Sequence, residues 1–219
     1  MRSLGQPEVL KSALLASLAG ALLCYPRVCT APHQVYPVWY METILFLGGT
    51  FLWGFVFAWH TKYTGRPVFT LRIGWSPFAV ATLSGITAAI AWRFVFDPVV
   101  RARLPEEYPN TLYQWLAMTL FTLALTQLFI VFSPFAWLLR MFQKKEPAVL
   151  LTVLFGVAVM LVRHRESSSL FSPAMFAGFV ALRLAGLLLS LYLLLRGGVL
   201  LVWWWVLLLE SRHLPGLAL

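Results

Sequence analysis

Apolar residues in this chain fall in blocks of about 20, in place of the two-residue alternation of a strand or the shorter stripe of a soluble helix. The blocks lie near residues 9–25, 39–59, 77–96, 113–139, 147–163, 173–195 and 198–210. At 1.5 Å per residue, about 20 helical residues cross roughly 30 Å of hydrocarbon. The pattern therefore predicts an all-α, polytopic transmembrane helix bundle of about seven helices. The first and last blocks are short. The last reads as tilted, half-inserted or part of a longer bent helix that takes in Arg196, Gly197 and Gly198, so the expected count runs from roughly six to eight.

Punctuation agrees with these boundaries. Trp39 and Trp59 bracket the second block, Trp75 and Trp92 the third, and Trp115 and Trp137 the fourth, as indoles at the headgroup level would. Pro77, Pro147 and Pro173 stand where helices begin, and Pro105 and Pro109 lie in the polar stretch Asp97 to Asn110. Small residues repeat every four positions at Ser12, Ala16 and Gly20, at Ala81, Gly85 and Ala89, and at Ala177, Ala181 and Ala185. Each set predicts a close helix contact, because small side chains let backbones approach in lipid.

Composition makes lipid the solvent. Hydrophobic residues are 60% of the chain and charged ones 11%, against about 45–50% and about 25% in a soluble domain. The mean hydropathy is +0.80. With no linker, tail or clear repeat, residues 1–219 read as a single transmembrane domain. The net charge of +9 comes from 17 Lys and Arg scattered between apolar blocks, which points to anionic lipid headgroups at the basic loops and not to nucleic acid. An N-terminus in the cytoplasm puts Arg2, Lys11, Lys62, Arg66, Arg72, Arg140, Lys144, Lys145 and Arg196 inside, nine against six outside. The positive-inside rule favours that sense, with a bacterial inner membrane as the expected location. Arg2, Lys11 and the apolar run from Ser12 to Cys24 resemble a secretory signal, but leucines precede Cys24 and the run reads as a retained first helix. Cys24 and Cys29, at and just beyond the end of that block, read as two structural thiols or as a disulfide in an oxidising compartment.

Ionisable groups at bilayer depth cost about 2.5–3.5 kcal/mol each at a helix centre and are functional candidates by default. Arg183 lies near the middle of its block, while Glu42, Arg93 and Glu210 lie within a few turns of helix ends. Thr126 and Gln127 supply uncharged polar partners at similar depth to Arg183. Two readings are open for this set: a polar cavity around Arg183 for an anionic or carbonyl-bearing ligand such as a lipid headgroup or quinone, or a structural network joining helices. His33, His60, His164 and His213 all fall at helix ends or in loops, so neither a buried haem nor any other cofactor is expected, and no metal site. The chain carries no HExxH, no GxSxG elbow and no phosphate-binding glycine loop.

Three phrases in residues 113–219 carry a family resemblance: LTQLFIVFSPFAWLLRMF, LLTVLFGVAVMLVRH and RGGVLLVWWWVLLLESRHL. Their order resembles the CPBP family, the type II CAAX prenyl endopeptidases and bacteriocin-processing membrane proteins, whose motifs are EExxxR, FGxxH and HxxxN. The resemblance implies that Thr126 and Gln127 stand at the paired glutamates, Val131 at the arginine and Val159 at the histidine, while the last helix offers Trp203, Trp204 and Trp205 without HxxxN. In that family a glutamate serves as general base, and histidine and asparagine stabilise the oxyanion. Threonine, glutamine and valine cannot accept a proton near neutral pH, so no catalytic residue is expected by that route.

The expectation is a noncatalytic CPBP-like membrane protein acting as an accessory or scaffold subunit with other membrane proteins. The alternatives are an intramembrane peptidase rebuilt on Glu42, His60, Glu210 or His213, and a lipid- or quinone-binding or transport protein. The last would show broken helices, for which Gly48, Gly49, Gly197 and Gly198 are the visible trace.

Overall fold

The computed structural model describes residues 4–30, 35–103, 105, 108–163 and 172–216, and among these every regular element is helical. Among the described residues six helices are long and apolar enough to cross a membrane: α1 (Pro7–Cys29), α2 (Val38–Thr64), α3 (Trp75–Ala102), α4 (Leu112–Phe142), α5 (Lys145–Val162) and a last run, Pro173–Leu214.

The last run is one hydrogen-bonded stretch but two arms. Within Pro173–Glu210, Gly198 takes φ 70° and ψ −166°, values that break a helix and that glycine alone adopts readily. Trp205 then donates its indole N–H to Ser190 Oγ at 3.0 Å. Along a straight helix those residues would stand about 22 Å apart. The chain has reversed, so residues 173–197 form α6 and 199–210 form α7, an antiparallel hairpin followed by a short 3₁₀ turn, Ser211–Gly216. Seven arms result, and the longer bent helix foreseen around Arg196 to Gly198 is a fold-back.

The loop after α2 closes over this hairpin. Val199 donates its backbone N–H to Val68 O at 3.0 Å, and Arg66 Nη1 donates to Arg196 O at 2.9 Å. Both groups thus find partners where the helix is interrupted, as backbone groups inside a bilayer require. The end of the bundle holding Gly65 and Gly198 is called the turn face below, and the opposite end the far face.

The core is built around α4 and the α6–α7 hairpin. Phe132, Phe135, Leu139, Leu193, Leu194, Leu201 and Val202 are each at most 1% exposed. Leucines and aromatics of α1, α2 and α3 remain outward-facing, among them Leu22, Leu47, Phe51 and Leu83, as acyl chains require. Four π-helical turns widen the long helices, at Val56–His60 in α2, Trp92–Phe96 in α3, and Thr122–Thr126 and Leu128–Phe132 in α4.

Several expected boundaries shift. α1 runs through Pro26 to Cys29, so both cysteines lie on the helix and not in a loop; both are free thiols, Cys24 buried and Cys29 exposed. α3 likewise continues past Asp97 to Ala102, because Asp97 is buried against partners and does not end the span. Of the small-residue sets, Ala81, Gly85 and Ala89 face the interior as expected. A Cβ on Gly85 would lie 2.9 Å from Leu208 Cβ, so α3 and α7 touch there. On α1 the tightly buried set is Ala13, Ser17 and Ala21, one residue along, while Ser12, Ala16 and Gly20 border a cleft of about 410 Å³ with Trp53, Phe57 and Trp203. Ala177, Ala181 and Ala185 are exposed, since the opposite face of α6 packs on the bundle. Trp39, Trp75 and Trp137 are exposed as a belt requires, but Trp92 is 6% exposed and belongs to the interior.

Candidate functional site

In α4 Thr126 closes the first π-helical turn and Gln127 stands between it and the second, and both side chains line one cavity. Such single-turn widenings are rare and recur at functional sites. The cavity encloses about 390 Å³ between α3, α4, α5 and the hairpin, within the range of about 300–1,000 Å³ usual for ligand pockets. Thr126, Gln127, Arg183 and Glu210 all line it, and so do Val131 and Val159. Four of the six polar candidates meet there, joined by the two valines that stand at motif positions.

Its walls are largely apolar, with Ile130, Met160, Leu187 and Val206 among them. Gly156 lets α5 pack closely at this wall, since a Cβ there would lie 2.8 Å from Leu187 Cδ1 and 3.2 Å from Ile130 Cγ2. Gln127 Oε1 is buried and has no hydrogen-bond partner among the described residues. Ser190 and Trp205, which also line the cavity, are occupied with each other.

Arg183 is held by ring faces. Its guanidinium carbon lies 4.6 Å from the centroid of Trp92 and 5.4 Å from that of Phe179, geometry in which an aromatic quadrupole attracts a cation by about 0.5–2 kcal/mol. The guanidinium of Arg212 approaches the same Trp92 ring at 5.4 Å. One buried indole therefore serves two cations, from α6 and from the turn after α7.

Beside the cavity, toward the far face, lies a polar cluster that spacing alone did not reveal. Arg212 Nε stands 3.4 Å from Asp97 Oδ2, without the alignment of a hydrogen bond, and Arg212 Nη1 stands 3.7 Å from Glu210 Oε2. His213 Nε2 is 3.6 Å from the same Glu210 oxygen. Tyr108 donates its hydroxyl to Asp97 Oδ1 at 2.9 Å, and its ring meets His213 edge to face at 5.3 Å. Arg93 Nη1 donates to Arg212 O at 2.6 Å, and Trp115 Nε1 donates to Glu210 O at 2.9 Å. His213 was a candidate only for a rearranged peptidase site, while Asp97, Tyr108 and Arg212, which lie outside the apolar blocks, were not candidates. Their signal was the pairing of opposite charges just past two block ends, at Asp97 and at Arg212.

The remaining candidates separate. Arg93 lines a neighbouring pocket with Asp97 and Arg212. Glu42 lines neither pocket, and its Oε1 is buried without a hydrogen-bond partner among the described residues. His60 is 1% exposed on α2 with Phe135 edge-on at 6.5 Å, away from any carboxylate ion pair among the described residues. His33 and His164 lie outside the described residues. Neither a family model, nor a curated protein, nor a solved structure matches the chain.

Proposed function

We propose that this is a noncatalytic, CPBP-like integral membrane protein that works by binding and association, as an accessory or scaffold subunit beside other membrane proteins. The observation that carries the reading is the convergence of Thr126, Gln127, Val131 and Val159 on one cavity. Thr126, Gln127 and Val131 lie on one helix and Val159 on the next, and a shared cavity is what the motif positions of one site would require. Gly156, where FGxxH has its glycine, is also the close-packing residue of that wall. Side chains at those positions cannot take a proton from water. Those four positions therefore supply contact and not acid–base chemistry, and the one carboxylate of the wall, Glu210, is paired with Arg212.

In the same proposal the turn face, with Lys62, Arg66, Arg72, Arg140, Lys144, Lys145 and Arg196, meets the cytoplasm of a bacterial inner membrane. Purification in native lipid patches followed by mass spectrometry of the intact particles tests the reading. Stoichiometric companion chains are expected. A lone, monodisperse chain that cleaves a prenylated peptide would overturn it.

One observation favours the peptidase alternative, the 3.6 Å approach of His213 to Glu210. That carboxylate also holds Arg212, so it is an ion-pair partner already engaged by a permanent cation. Retention of any peptidase activity in Glu210→Gln would dismiss this second reading, and its abolition with intact folding would favour it over the first.

A further inference from the structure

The second pocket, at the far face, encloses about 240 Å³, and its charged walls are Arg93, Arg101, Arg212 and Asp97. Among the described residues, three guanidiniums thus line the pocket with one carboxylate, and Glu210 stands beside Arg212 at 3.7 Å. Asp97 is already engaged, accepting from Tyr108 at 2.9 Å and pairing with Arg212 at 3.4 Å. Arg93 and Arg212 are fixed by backbone carbonyls, through Arg212 O at 2.6 Å and Leu209 O at 3.0 Å. Each guanidinium carries five donors in a planar fork, and among the described residues Arg93 commits one nitrogen, Nη1, to Arg212 O. Arg101 is exposed at the rim.

Position decides which anion fits. The pocket lies where α3 leaves its apolar stretch, and Phe94, one of its walls, is 71% exposed on the outer surface of the bundle. The adjacent Val95 is 54% exposed. An anion held here has acyl-chain-facing surface directly beside it. The geometry points to a site for the phosphodiester headgroup of an anionic membrane lipid, with the phosphate among Arg93, Arg101 and Arg212 and the first acyl segments along Phe94 and Val95. Arginine is the residue suited to that contact, since its fork matches phosphate oxygens in pairs.

The full chain in neutral detergent, titrated with short-chain phosphatidylglycerol or phosphatidylcholine and read by native mass spectrometry, tests the site. Preferential retention of phosphatidylglycerol is expected, falling about fivefold for each arginine removed in Arg101→Gln and in the double variant Arg93→Gln/Arg101→Gln. Arg101 is exposed, so its single variant keeps the test open if the double variant fails to fold. Equal retention of the two lipids, or a preference that Arg101→Gln leaves unchanged, would overturn the site. Inorganic phosphate provides the remaining arm: millimolar phosphate that displaces the lipid would assign the pocket to a soluble phosphate and overturn the lipid proposal, while failure to displace it supports the lipid.

Discussion

Trp205 gives its only side-chain proton to Ser190, and both residues are 4% exposed. The bond ties the two arms of the hairpin about two helical turns from Gly198, within the bundle core. Ser190→Ala leaves a buried indole N–H without its acceptor, which costs about 1 kcal/mol, in line with hydrogen bonds measured between membrane helices. Thermal unfolding in detergent is expected to show the drop, and Ser190→Ala combined with Trp205→Phe should lose less than the sum of the two single changes. Strict additivity would mean that the two side chains are not energetically coupled.

Gly198 and Gly65 both take positive φ, 70° and 72°, yet their surroundings differ. A Cβ on Gly65 meets nothing within 4 Å, whereas one on Gly198 would lie 2.6 Å from Val68 O. Gly65→Ala is expected to cost about 1 kcal/mol, the left-handed penalty alone. Gly198→Ala adds a backbone clash in the segment that caps the hairpin and should lower Tm well beyond it. Comparable Tm values for the two variants would contradict the turn geometry.

Gly85 meets Leu208 and Gly48 meets nothing, which makes a matched pair. Gly48→Ala should be neutral or slightly stabilising through helix propensity. Gly85→Leu forces α3 from α7 and is expected to cost about 1–3 kcal/mol as an overpacked contact. Chemical denaturation of the two variants side by side, under one detergent, checks the contrast.

Gln127→Leu tests the cavity directly. A buried amide oxygen without a partner is unfavourable by about 1–3 kcal/mol, so a leucine of similar size is expected to raise Tm. A fall in Tm would show that the amide is satisfied in the folded protein and is part of a structural network.

Asp97→Asn removes the charge opposite Arg212, whose side chain is 11% exposed and that of Asp97 12%. Leaving a buried charge wholly unpaired costs about 3 kcal/mol or more, and the single change is expected to cost less than that. Glu210 still lies 3.7 Å from Arg212, so the double change Asp97→Asn/Glu210→Gln should cost more than the sum. Hydrogen exchange at the 3₁₀ turn Ser211–Gly216 would report the loosening.

Block length and aromatic punctuation were enough to find the spans, because the bilayer imposes one length on every helix that crosses it. The same reasoning located Arg183, Gln127, Thr126 and Glu210 by depth, and depth is what they share in the cavity. It failed for Glu42, since depth gives no information about which way a helix is rotated. Asp97 escaped for a different reason: it was read as the start of a polar stretch after a span, when pairing with Arg212 lets α3 run on to Ala102. The rotational error recurs on α1 and α6, where small residues at 12, 16 and 20 and at 177, 181 and 185 form stripes as regular as the true contact at Gly85. Period alone does not say which stripe has a partner. The π-helical turns around Gln127 were invisible, because insertion of a wider turn leaves no mark in composition.

Residues 199–210 supply an arm of about 18 Å, little more than half the hydrocarbon thickness. Such a segment does not partition into a membrane by itself, so during biosynthesis it enters only once the preceding arm is present to receive it, the two going in together. Truncation on the ribosome between these arms would therefore yield a chain whose upstream helices are inserted and whose Trp92 indole lacks its second cation.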